Sequence, residues 1–251
     1  MKTFLQATGS YLKNLQQLFW QNYCRCCNVV IAEDDKYFCS DCWSQLGYCF
    51  VDSFCRRCGR EISAFGQLPD GCAHCQNENF HFDSIACAGI YKEPLSNLIV
   101  KFKLADRTYL LPALEDFARS AVYKADFFNS VDFVVPMPLH WRRRFQRGFN
   151  QSAFIAKSIK IPNAGFNTDL VKIRHTQDQT AVTFAERKKN LQGAFAVRNG
   201  HNFEGKNVCL IDDVKTTGAT LNECAKVLKE AGAQKVFAFV LAVAGQKDKD
   251  N

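Results

Sequence analysis

The chain has 251 residues, 47% of them hydrophobic, which is enough for one large domain or two modest ones with a real core. Its formal net charge of +7 at pH 7 favours anionic ligands and leaves nucleic acid, phosphorylated metabolites and an acidic protein all open. No stretch approaches the roughly 18 apolar residues of a membrane-spanning helix, so the sequence argues against a protein with a membrane span.

The N-terminal segment, residues 1–22, is predicted to form an amphipathic helix. Phe4, Leu12, Leu15 and Phe19 recur at helical spacing, without the continuous apolar run of a secretory signal. Few cationic residues flank this stripe, so we expect it to pack on the protein and not on a membrane. Together with many cysteines in no disulfide pattern, these features predict a cytoplasmic protein with reduced thiols.

Thirteen cysteines are the outstanding feature of the composition, and ten of them lie between Cys24 and Cys75. The odd count and the repeated Cys-x-x-Cys spacing are typical of metal ligands. Residues 23–80 are therefore predicted to form a double zinc-ribbon module. The proposed ligands are Cys24 and Cys27, Cys39 and Cys42, Cys55 and Cys58, and Cys72 and Cys75.

Two such pairs make one tetrahedral four-thiolate site, so the sequence predicts two structural zinc ions. The turn-rich gaps between the pairs bury little apolar surface, and metal must supply much of the folding free energy. Sequential pairing closes the shorter loops, while interleaved pairing stays open, as does replacement of a thiolate by His74 or His81. The remaining thiols are expected to be small buried apolar groups. These are Cys26, Cys49, Cys87, Cys209 and Cys224.

Residues 81–246 are predicted to form a second, α/β domain, followed by a polar tail at residues 247–251. Apolar patterning predicts strands at residues 84–91 and 131–135, and helices at residues 94–103 and 110–123.

A stretch rich in arginine, residues 136–151, follows the strand at 131–135. We expect a proline-constrained loop that carries Arg142, Arg143, Arg144 and Arg147. If the strands are parallel neighbours, these arginines form an anion site at the carboxyl edge of the sheet. Pyrophosphate would fit there. A nucleic-acid backbone would also fit, because aromatic residues interleave with the arginines as stacking partners do. Solvated arginines beside core aromatics are the remaining alternative.

Residues 208–220 read Val-Cys-Leu-Ile-Asp-Asp-Val-Lys-Thr-Thr-Gly-Ala-Thr. Four apolar residues predict a buried parallel strand with Asp212 and Asp213 at its C-terminal end. The Thr/Gly-rich turn then opens a helix that ends near Gly232, and a strand at 236–244 completes a strand–helix–strand unit. A turn at a helix N-terminus suits a phosphate, and paired carboxylates suit neighbouring sugar hydroxyls. The glycine patterns of nucleotide P-loops and dinucleotide sites are absent.

This run resembles the phosphoribosyl pyrophosphate (PRPP) motif of type I phosphoribosyltransferases. The wider pattern is similar to the ComF/ComFC family of competence-associated proteins: paired cysteines, then Val-Pro-x-Pro, then Arg-Gly-Phe-Asn-Gln, then the PRPP motif. Thr176-x-x-Gln179 with Arg187 and Asn190 agrees with that family as well. The resemblance spans about residues 24–242. Val182 and Lys215 depart from the pattern without removing a proposed ligand.

The resemblance implies a type I phosphoribosyltransferase-like parallel sheet flanked by helices, with a small N-terminal zinc-ribbon module. It also implies binding of PRPP with Mg²⁺, a pyrophosphate loop at residues 137–144, and a mobile flap at residues 174–187. Asp212 and Asp213 are the implied catalytic pair. The implied PRPP ligands are Lys103, Pro138, Leu139, Gln179, Arg187, Asp212, Asp213, Lys215, Thr216, Thr217, Gly218, Ala219 and Thr220.

Two functions follow from the resemblance. One is the handling of incoming single-stranded DNA during natural transformation, with a competence helicase or other DNA-uptake proteins as partners and with the arginines of residues 142–147 on the DNA. The other is an active Mg²⁺-dependent transferase that moves ribose 5-phosphate from PRPP to an acceptor and releases pyrophosphate. No base-specificity element is recognisable in the sequence, and the zinc module occupies the N-terminal place of one, which favours binding and handling.

Overall fold

The computed structural model describes residues 22–32, 35–50, 53–174, 176 and 190–245. The predicted N-terminal helix and polar tail lie almost entirely outside these residues, as do Gln179 and Arg187 of the predicted flap. The chain divides after Tyr48 into two compact units, residues 1–48 and 49–251. The third and fourth cysteine pairs belong to the larger unit, while the domain boundary near residue 80 stays a prediction.

The described residues of the smaller unit, 22–32 and 35–48, contain a turn and one helix, α1 (Ser40–Gly47). Tyr23 and Val30 form an antiparallel bridge across the turn that contains the first cysteine pair. Phe38 and Leu46 are buried beside the thiols, and Phe38 meets Trp43 edge-on at a centroid distance of 5.1 Å.

The larger unit contains a five-stranded sheet in which every neighbouring pair of strands is parallel. The strands are β1 (Ser84–Ile90), β2 (Phe133–Pro136), β3 (Gly165–Phe166), β6 (Asn207–Lys215) and β7 (Lys235–Val243), in the order β1-β7-β6-β2-β3. A separate antiparallel pair consists of β4 (Leu170–Lys172) and β5 (Phe195–Val197). The predicted parallel sheet is therefore confirmed.

Helices flank this sheet: α2 (Leu95–Phe102), α3 (Leu111–Val122), α4 (Trp141–Arg147), α5 (Gln151–Ser158) and α6 (Ala219–Glu230). Short 3₁₀ helices span Ala105–Leu110 and Phe128–Ser130. The α3 helix packs on β1, α5 on β2 and β6, and α6 on β6 and β7. None of the helices in the described part of the chain is long and apolar enough to cross a membrane.

The β6–α6–β7 unit agrees with its apolar pattern. Every residue of the run from Val208 to Ile211 is buried, as expected for a parallel strand that is covered on both faces. On α6 the buried stripe includes Leu221 and Leu228, and Gly232 follows the helix with a φ of +89°. The strand does not end at the aspartates. It continues through Lys215, because Lys215 still pairs with Val243 of β7.

The arginine-rich stretch corrects the prediction of a loop, because residues 141–147 form helix α4. The His140 side chain accepts a hydrogen bond from the Arg142 backbone N–H, and Gly148, with a φ of +75°, ends the helix. Arginine and glutamine are good helix formers, which favours a helix over this short segment. Only residues 137–140 remain as a loop after β2.

Candidate functional site

The candidate site lies where β2 and β6 run side by side. Pro136 pairs with Ile211 in the parallel ladder, and the Met137 N–H donates to the Ile211 carbonyl at 2.8 Å. The loop after β2 therefore begins next to Asp212, as expected if the arginine-rich stretch and the aspartates share one edge of the sheet. The carboxyl edge of a parallel sheet is the usual position of a ligand site in α/β folds.

Asp212 is held in place before any ligand binds. Its Oδ1 accepts hydrogen bonds from the Ser152 hydroxyl at 3.1 Å and from the Asp213 backbone N–H at 2.9 Å. Burial and then the neighbouring charge of Asp213 raise the pKa of Asp212 to about 7, although the two hydrogen bonds and Lys103 act in the opposite direction. Asp212 can therefore gain or lose its proton near neutral pH.

Asp213 forms an ion pair with Lys103, whose Nζ lies 3.1 Å from Oδ2 of the carboxylate. Lys103 is the residue that caps the C-terminus of α2, and both side chains are largely buried. The structure thus places this predicted PRPP ligand directly beside the acidic pair.

A series of polar contacts ties the Arg-Gly-Phe-Asn-Gln motif to this pair. Arg147 Nη1 donates to Gln151 Oε1 at 3.2 Å, and Gln151 Nε2 donates to the Lys103 carbonyl at 3.5 Å. Asn150 donates from Nδ2 to the Met137 carbonyl at 3.0 Å and caps α5 by accepting from the Ser152 N–H. Arg147 was predicted as a nucleic-acid contact, and the structure gives it this positioning role as well.

Sequence reasoning missed Asn150, Gln151 and Ser152 as functional residues. Gln151 and Ser152 are only 2% and 5% exposed, and buried polar side chains of this kind are held by hydrogen bonds. An asparagine directly before a helix is a recognised N-cap, so that part of the signal was present in the sequence. The contact between Ser152 and Asp212 depends on tertiary packing and left no local signal.

The predicted phosphate loop, residues 216–220, comprises the turn that joins β6 to α6 and the first two residues of α6. Gly218 has a φ of +79° and forms the N-cap of α6, and the Thr217 hydroxyl accepts from the Ala219 N–H at 3.3 Å. A Cβ on Gly218 would lie 2.8 Å from Cε of Lys215, so only glycine leaves room for that side chain. The turn thus ends at the N-terminus of α6, where backbone N–H groups and the positive end of the helix dipole suit an anion.

Lys215 is 8% exposed and runs beneath this turn. Burial lowers its pKa. Lys215, Thr216 and Thr217 line a cavity of about 290 Å³, whose opposite wall includes Cys58 and Arg60 of the cysteine-rich segment. The phosphate loop therefore faces residues of that segment directly.

The arginine-rich helix α4 is more exposed than the aspartate pair. Arg142 lies over the exposed Trp141 ring at 5.3 Å, and burial together with Arg147 lowers the pKa of Arg143. Arg144 lines a separate cavity of about 920 Å³, which the predicted ligands Pro138 and Leu139 also line. The aromatic residues of this stretch differ in burial. Trp141 and Phe145 are exposed, as base stacking requires, whereas Phe149 is buried, as expected of a core residue.

Of the predicted flap, residues 174–187, the structure describes Arg174 and Thr176. Arg174 Nη2 donates to the carbonyls of Asn190 and Gln192 at 2.9 and 2.8 Å. Thr176 is buried and accepts from Lys172 Nζ at 2.7 Å. The roles of Gln179 and Arg187 in binding PRPP stay predictions.

The eight paired cysteines form two groups of four, and within each group the sulfur atoms all lie within 4.8 Å of one another. The first tetrad is Cys24, Cys27, Cys39 and Cys42, and the second tetrad is Cys55, Cys58, Cys72 and Cys75. Pairing is thus sequential, and each tetrad is complete without a histidine.

The spacing of the sulfur atoms fits zinc. The Sγ–Sγ distance is 3.7 Å between Cys27 and Cys39, 3.7 Å between Cys55 and Cys75, and 3.8 Å between Cys58 and Cys72. A tetrahedron with Zn–S bonds of about 2.3 Å has an edge of about 3.8 Å, which matches these distances. Of the five other thiols, four are buried as expected, whereas Cys26 is partly exposed.

The second tetrad is joined to the sheet. The Ile85 N–H donates to the Arg56 carbonyl at 2.8 Å, and Cys87 Sγ lies 3.7 Å from the Gly59 carbonyl. Gly59, with a φ of +74°, sits where a Cβ would touch Ile85 and Val243 at 3.4 and 3.5 Å. The turn between Cys55 and Cys58 thus packs on β1 and β7.

Residues 146–251 match the phosphoribosyl transferase domain family. Competence protein F of Haemophilus influenzae is 31% identical over 223 residues, which cover 86% of this chain and 93% of that protein. The chain belongs to the ComF/ComFC family. Competence protein ComFC of Streptococcus pneumoniae is 28% identical over 216 residues, covering 85% of this chain and 90% of the relative. DNA utilization protein YhgH of Salmonella typhimurium is 28% identical over 223 residues, covering 87% and 95%.

This ComF/ComFC protein therefore combines a phosphoribosyltransferase-like parallel sheet with two cysteine tetrads that can bind zinc. The family resemblance drawn from its motifs is confirmed.

Proposed function

We propose that this protein binds PRPP together with Mg²⁺ at the carboxyl edge of its sheet. Asp212 and Asp213 would accept hydrogen bonds from the 2- and 3-hydroxyls of the ribose, and residues 216–220 would hold the 5-phosphate. The observation that carries the proposal is the meeting of an acidic pair, a helix N-terminal turn and a proline loop at one edge of the sheet.

The donor set supports this ligand. Carboxylate oxygens suit Mg²⁺, which bound in this way would neutralise the pyrophosphate charge. Lys103 carries a positive charge 3.1 Å from Asp213 and would be a cation for the pyrophosphate. On binding, Lys103 would exchange part of its ion pair with Asp213 for charge-assisted hydrogen bonds to the pyrophosphate, and contacts of this kind are strong.

Calorimetric titration with PRPP and Mg²⁺ tests the proposal. We expect clear binding by the unmodified chain and at least about a hundredfold weaker binding by the Asp212→Asn/Asp213→Asn variant, because two charge-assisted contacts are lost. Glu230→Gln, the same chemical change at the far end of α6, is the matched control and should bind normally. Absence of binding by the unmodified chain would sink the proposal.

We also propose that the protein handles single-stranded DNA during natural competence. Its relatives include competence protein F, competence protein ComFC and a DNA utilization protein. In this chain the exposed arginines of α4 and the net charge of +7 support contact with a nucleic-acid backbone. A competence helicase or other DNA-uptake proteins are the partners that such a role requires.

Binding of a fluorescent oligonucleotide at several salt concentrations tests this second part. Replacing Arg142, Arg143 and Arg144 with glutamine should weaken binding and lower the slope of log affinity against log salt by about 2, since each phosphate contact on a single strand contributes about 0.7. An unchanged slope in the triple variant would remove these arginines from the DNA contact.

An active transferase is the alternative. The ionisation of Asp212 near neutral pH and the hydrogen bonds that hold Arg174 at the start of the predicted flap are compatible with chemistry on bound PRPP. Release of pyrophosphate in the presence of a panel of nucleobases and amines would establish turnover. If PRPP binds and none of the acceptors yields pyrophosphate, the binding role stands and catalysis is rejected.

A further inference from the structure

A cavity of about 920 Å³ lies beside α4 and α5 and reaches the ends of β2 and β4. We define the aromatic groove as the part of it lined by three aromatic and three cationic side chains: Trp141, Phe154, Phe166, Arg144, Lys157 and Arg198. We propose that the aromatic groove binds single-stranded nucleic acid, with bases stacked on the rings and phosphates on the cations. This inference rests on the proposed DNA-handling function. It places the DNA contact in the aromatic groove and not on the arginines of residues 142–147 alone.

All three rings of the groove are accessible to a ligand. Trp141 is 65% exposed, Phe154 38% and Phe166 42%, and all three line the same cavity. They come from separate elements, because Trp141 begins α4, Phe154 lies on α5 and Phe166 ends β3. Convergence of exposed rings on one cavity is the arrangement that stacking of successive unpaired bases requires.

The charges of the groove have one sign. Among the described residues that line the cavity there is no aspartate or glutamate, while Arg144, Lys157 and Arg198 are exposed cations. The Lys157 ammonium lies 5.3 Å from the centroid of the Phe166 ring, so a cation and a stacking surface are adjacent. A nucleotide likewise carries a phosphate next to a base, so this surface is complementary to a nucleotide.

A fourth basic residue, Lys172, lies at the β4 side of the cavity. Its amine donates to Thr176 Oγ1 at 2.7 Å and lies 5.4 Å from the Phe195 ring centroid. Burial and the nearby charge of Arg143 lower the pKa of Lys172, so the positive charge of the groove comes mainly from Arg144, Lys157 and Arg198.

Single-stranded nucleic acid fits these features better than the other polyanions. An acidic peptide would satisfy the cations and leave the three rings exposed. Double-stranded DNA keeps its bases paired and stacked, so their faces are not available to Trp141 or Phe166. The groove therefore favours a strand whose bases are free to turn outward.

The first arm of the test removes the stacking faces and leaves the charge unchanged. Trp141→Leu/Phe166→Leu keeps apolar side chains, and Phe145→Leu is the matched control because Phe145 is 87% exposed on the same helix but lies outside the cavity. We expect the double variant to bind an oligothymidylate about tenfold or more weakly, since each stacked base contributes strongly to affinity. Phe145→Leu should bind like the unmodified chain.

The second arm compares neighbouring cations. Arg144→Gln and Lys157→Gln remove charges inside the groove, whereas Lys160→Gln removes an exposed charge outside it. The two groove variants should each weaken binding about threefold to tenfold at low salt, and Lys160→Gln by less than twofold. Thermal unfolding checks that each variant is folded.

A third arm uses an abasic strand of the same length, which keeps the phosphates and lacks the bases. About tenfold weaker binding of the abasic strand supports stacking. Equal binding of the abasic and oligothymidylate strands would overturn the groove in favour of a general polyanion surface. If the unmodified chain binds no strand at all, the proposed DNA function fails. If it binds and Trp141→Leu/Phe166→Leu matches Phe145→Leu, the groove fails and the DNA function stands.

Discussion

The two cysteine tetrads offer the same four sulfur ligands in very different surroundings. In the smaller unit Cys27 is exposed and Cys39 partly exposed, and the described residues around the tetrad form a turn and one helix. In the larger unit all four thiols are buried, with Ile62 and Phe80 packed against them. The second tetrad also packs on the sheet and lines the cavity under the phosphate loop. One ligand motif can therefore shape its own small fold or form part of the wall of another site.

The largest difference is expected when one thiolate is removed from each tetrad. Cys58→Ser should lower the free energy of unfolding of the larger unit by about 3 kcal/mol or more, because a structural zinc site supplies folding free energy. It should also weaken PRPP binding, since Cys58 lines the cavity shared with Lys215 and Thr216. Thermal unfolding and calorimetric titration measure both effects.

Cys27→Ser is the matched variant in the first tetrad. It should lose one zinc ion and bind PRPP within about twofold of the unmodified chain, because the first tetrad belongs to the other unit. Equal loss of PRPP binding in both variants would contradict the comparison. Fewer than two zinc ions per unmodified chain would contradict the proposal of two structural sites.

A chelator should distinguish the tetrads by rate. The first tetrad contains an exposed thiol, whereas the second opens only when buried segments separate, so zinc release should occur in two phases that differ by about tenfold or more. A zinc-sensitive dye follows both phases. Cys27→Ser should abolish the fast phase and leave the slow one, and a single phase in the unmodified chain would mean that burial does not protect the second metal.

The pH dependence of PRPP binding should come from Asp212 on β6 and from neither cysteine tetrad. Asp212 has a pKa of about 7, so between about pH 6 and pH 8 its ionised fraction rises about tenfold, and affinity should rise in parallel. The folded state holds this proton more tightly than the unfolded state, so stability of the free protein should fall as pH rises from about 4 towards 7. Calorimetry across this range measures the affinity.

Asp212→Asn provides the control, because an amide cannot titrate and the profile should flatten to the contribution of the PRPP phosphates. Cys27→Ser should keep the profile of the unmodified chain. A steep profile in Asp212→Asn would assign the titration to another group.

The smallest effect is expected at Lys215, which lies between the phosphate loop and the second tetrad. Lys215→Met keeps the buried aliphatic stem and removes the ammonium, so PRPP affinity should fall about fivefold, equivalent to about 1 kcal/mol, through loss of a nearby positive charge. Lys226→Met on α6 is a partly exposed control and should show no change. Unchanged affinity in Lys215→Met would show that the lysine supports the turn without helping the phosphate.

The sequence predicted those parts of the molecule that are written in local patterns. The β6–α6–β7 unit appears as a continuous apolar run, a helical stripe and a second run, and the tetrads appear as regularly spaced cysteine pairs. Strand β3, with two residues, and the β4–β5 pair, with three each, are too short for any periodicity to show.

Helix α4 was missed because its seven residues carry four arginines and no buried apolar stripe. The sequence predicted individual residues of the site but not the contacts between them. Asp212, Asp213 and the phosphate loop were found from one motif, whereas the ion pair of Lys103 joins residues that are 110 positions apart. Contacts of this kind are decided by tertiary packing, such as that of α5 against β2 and β6, which no local pattern encodes.

The contacts from Arg147 through Gln151 and Lys103 to Asp213 have a thermodynamic consequence. They begin on the helix that carries Trp141 and Arg144 and end at the acidic pair. If a DNA strand shifts this helix, the position of Lys103 changes the affinity for PRPP, and reciprocity then requires PRPP to change the affinity for the strand by the same factor. The protein would then act as a heterotropic switch, in which the concentration of PRPP controls the affinity for incoming DNA, and bound DNA controls the affinity for PRPP.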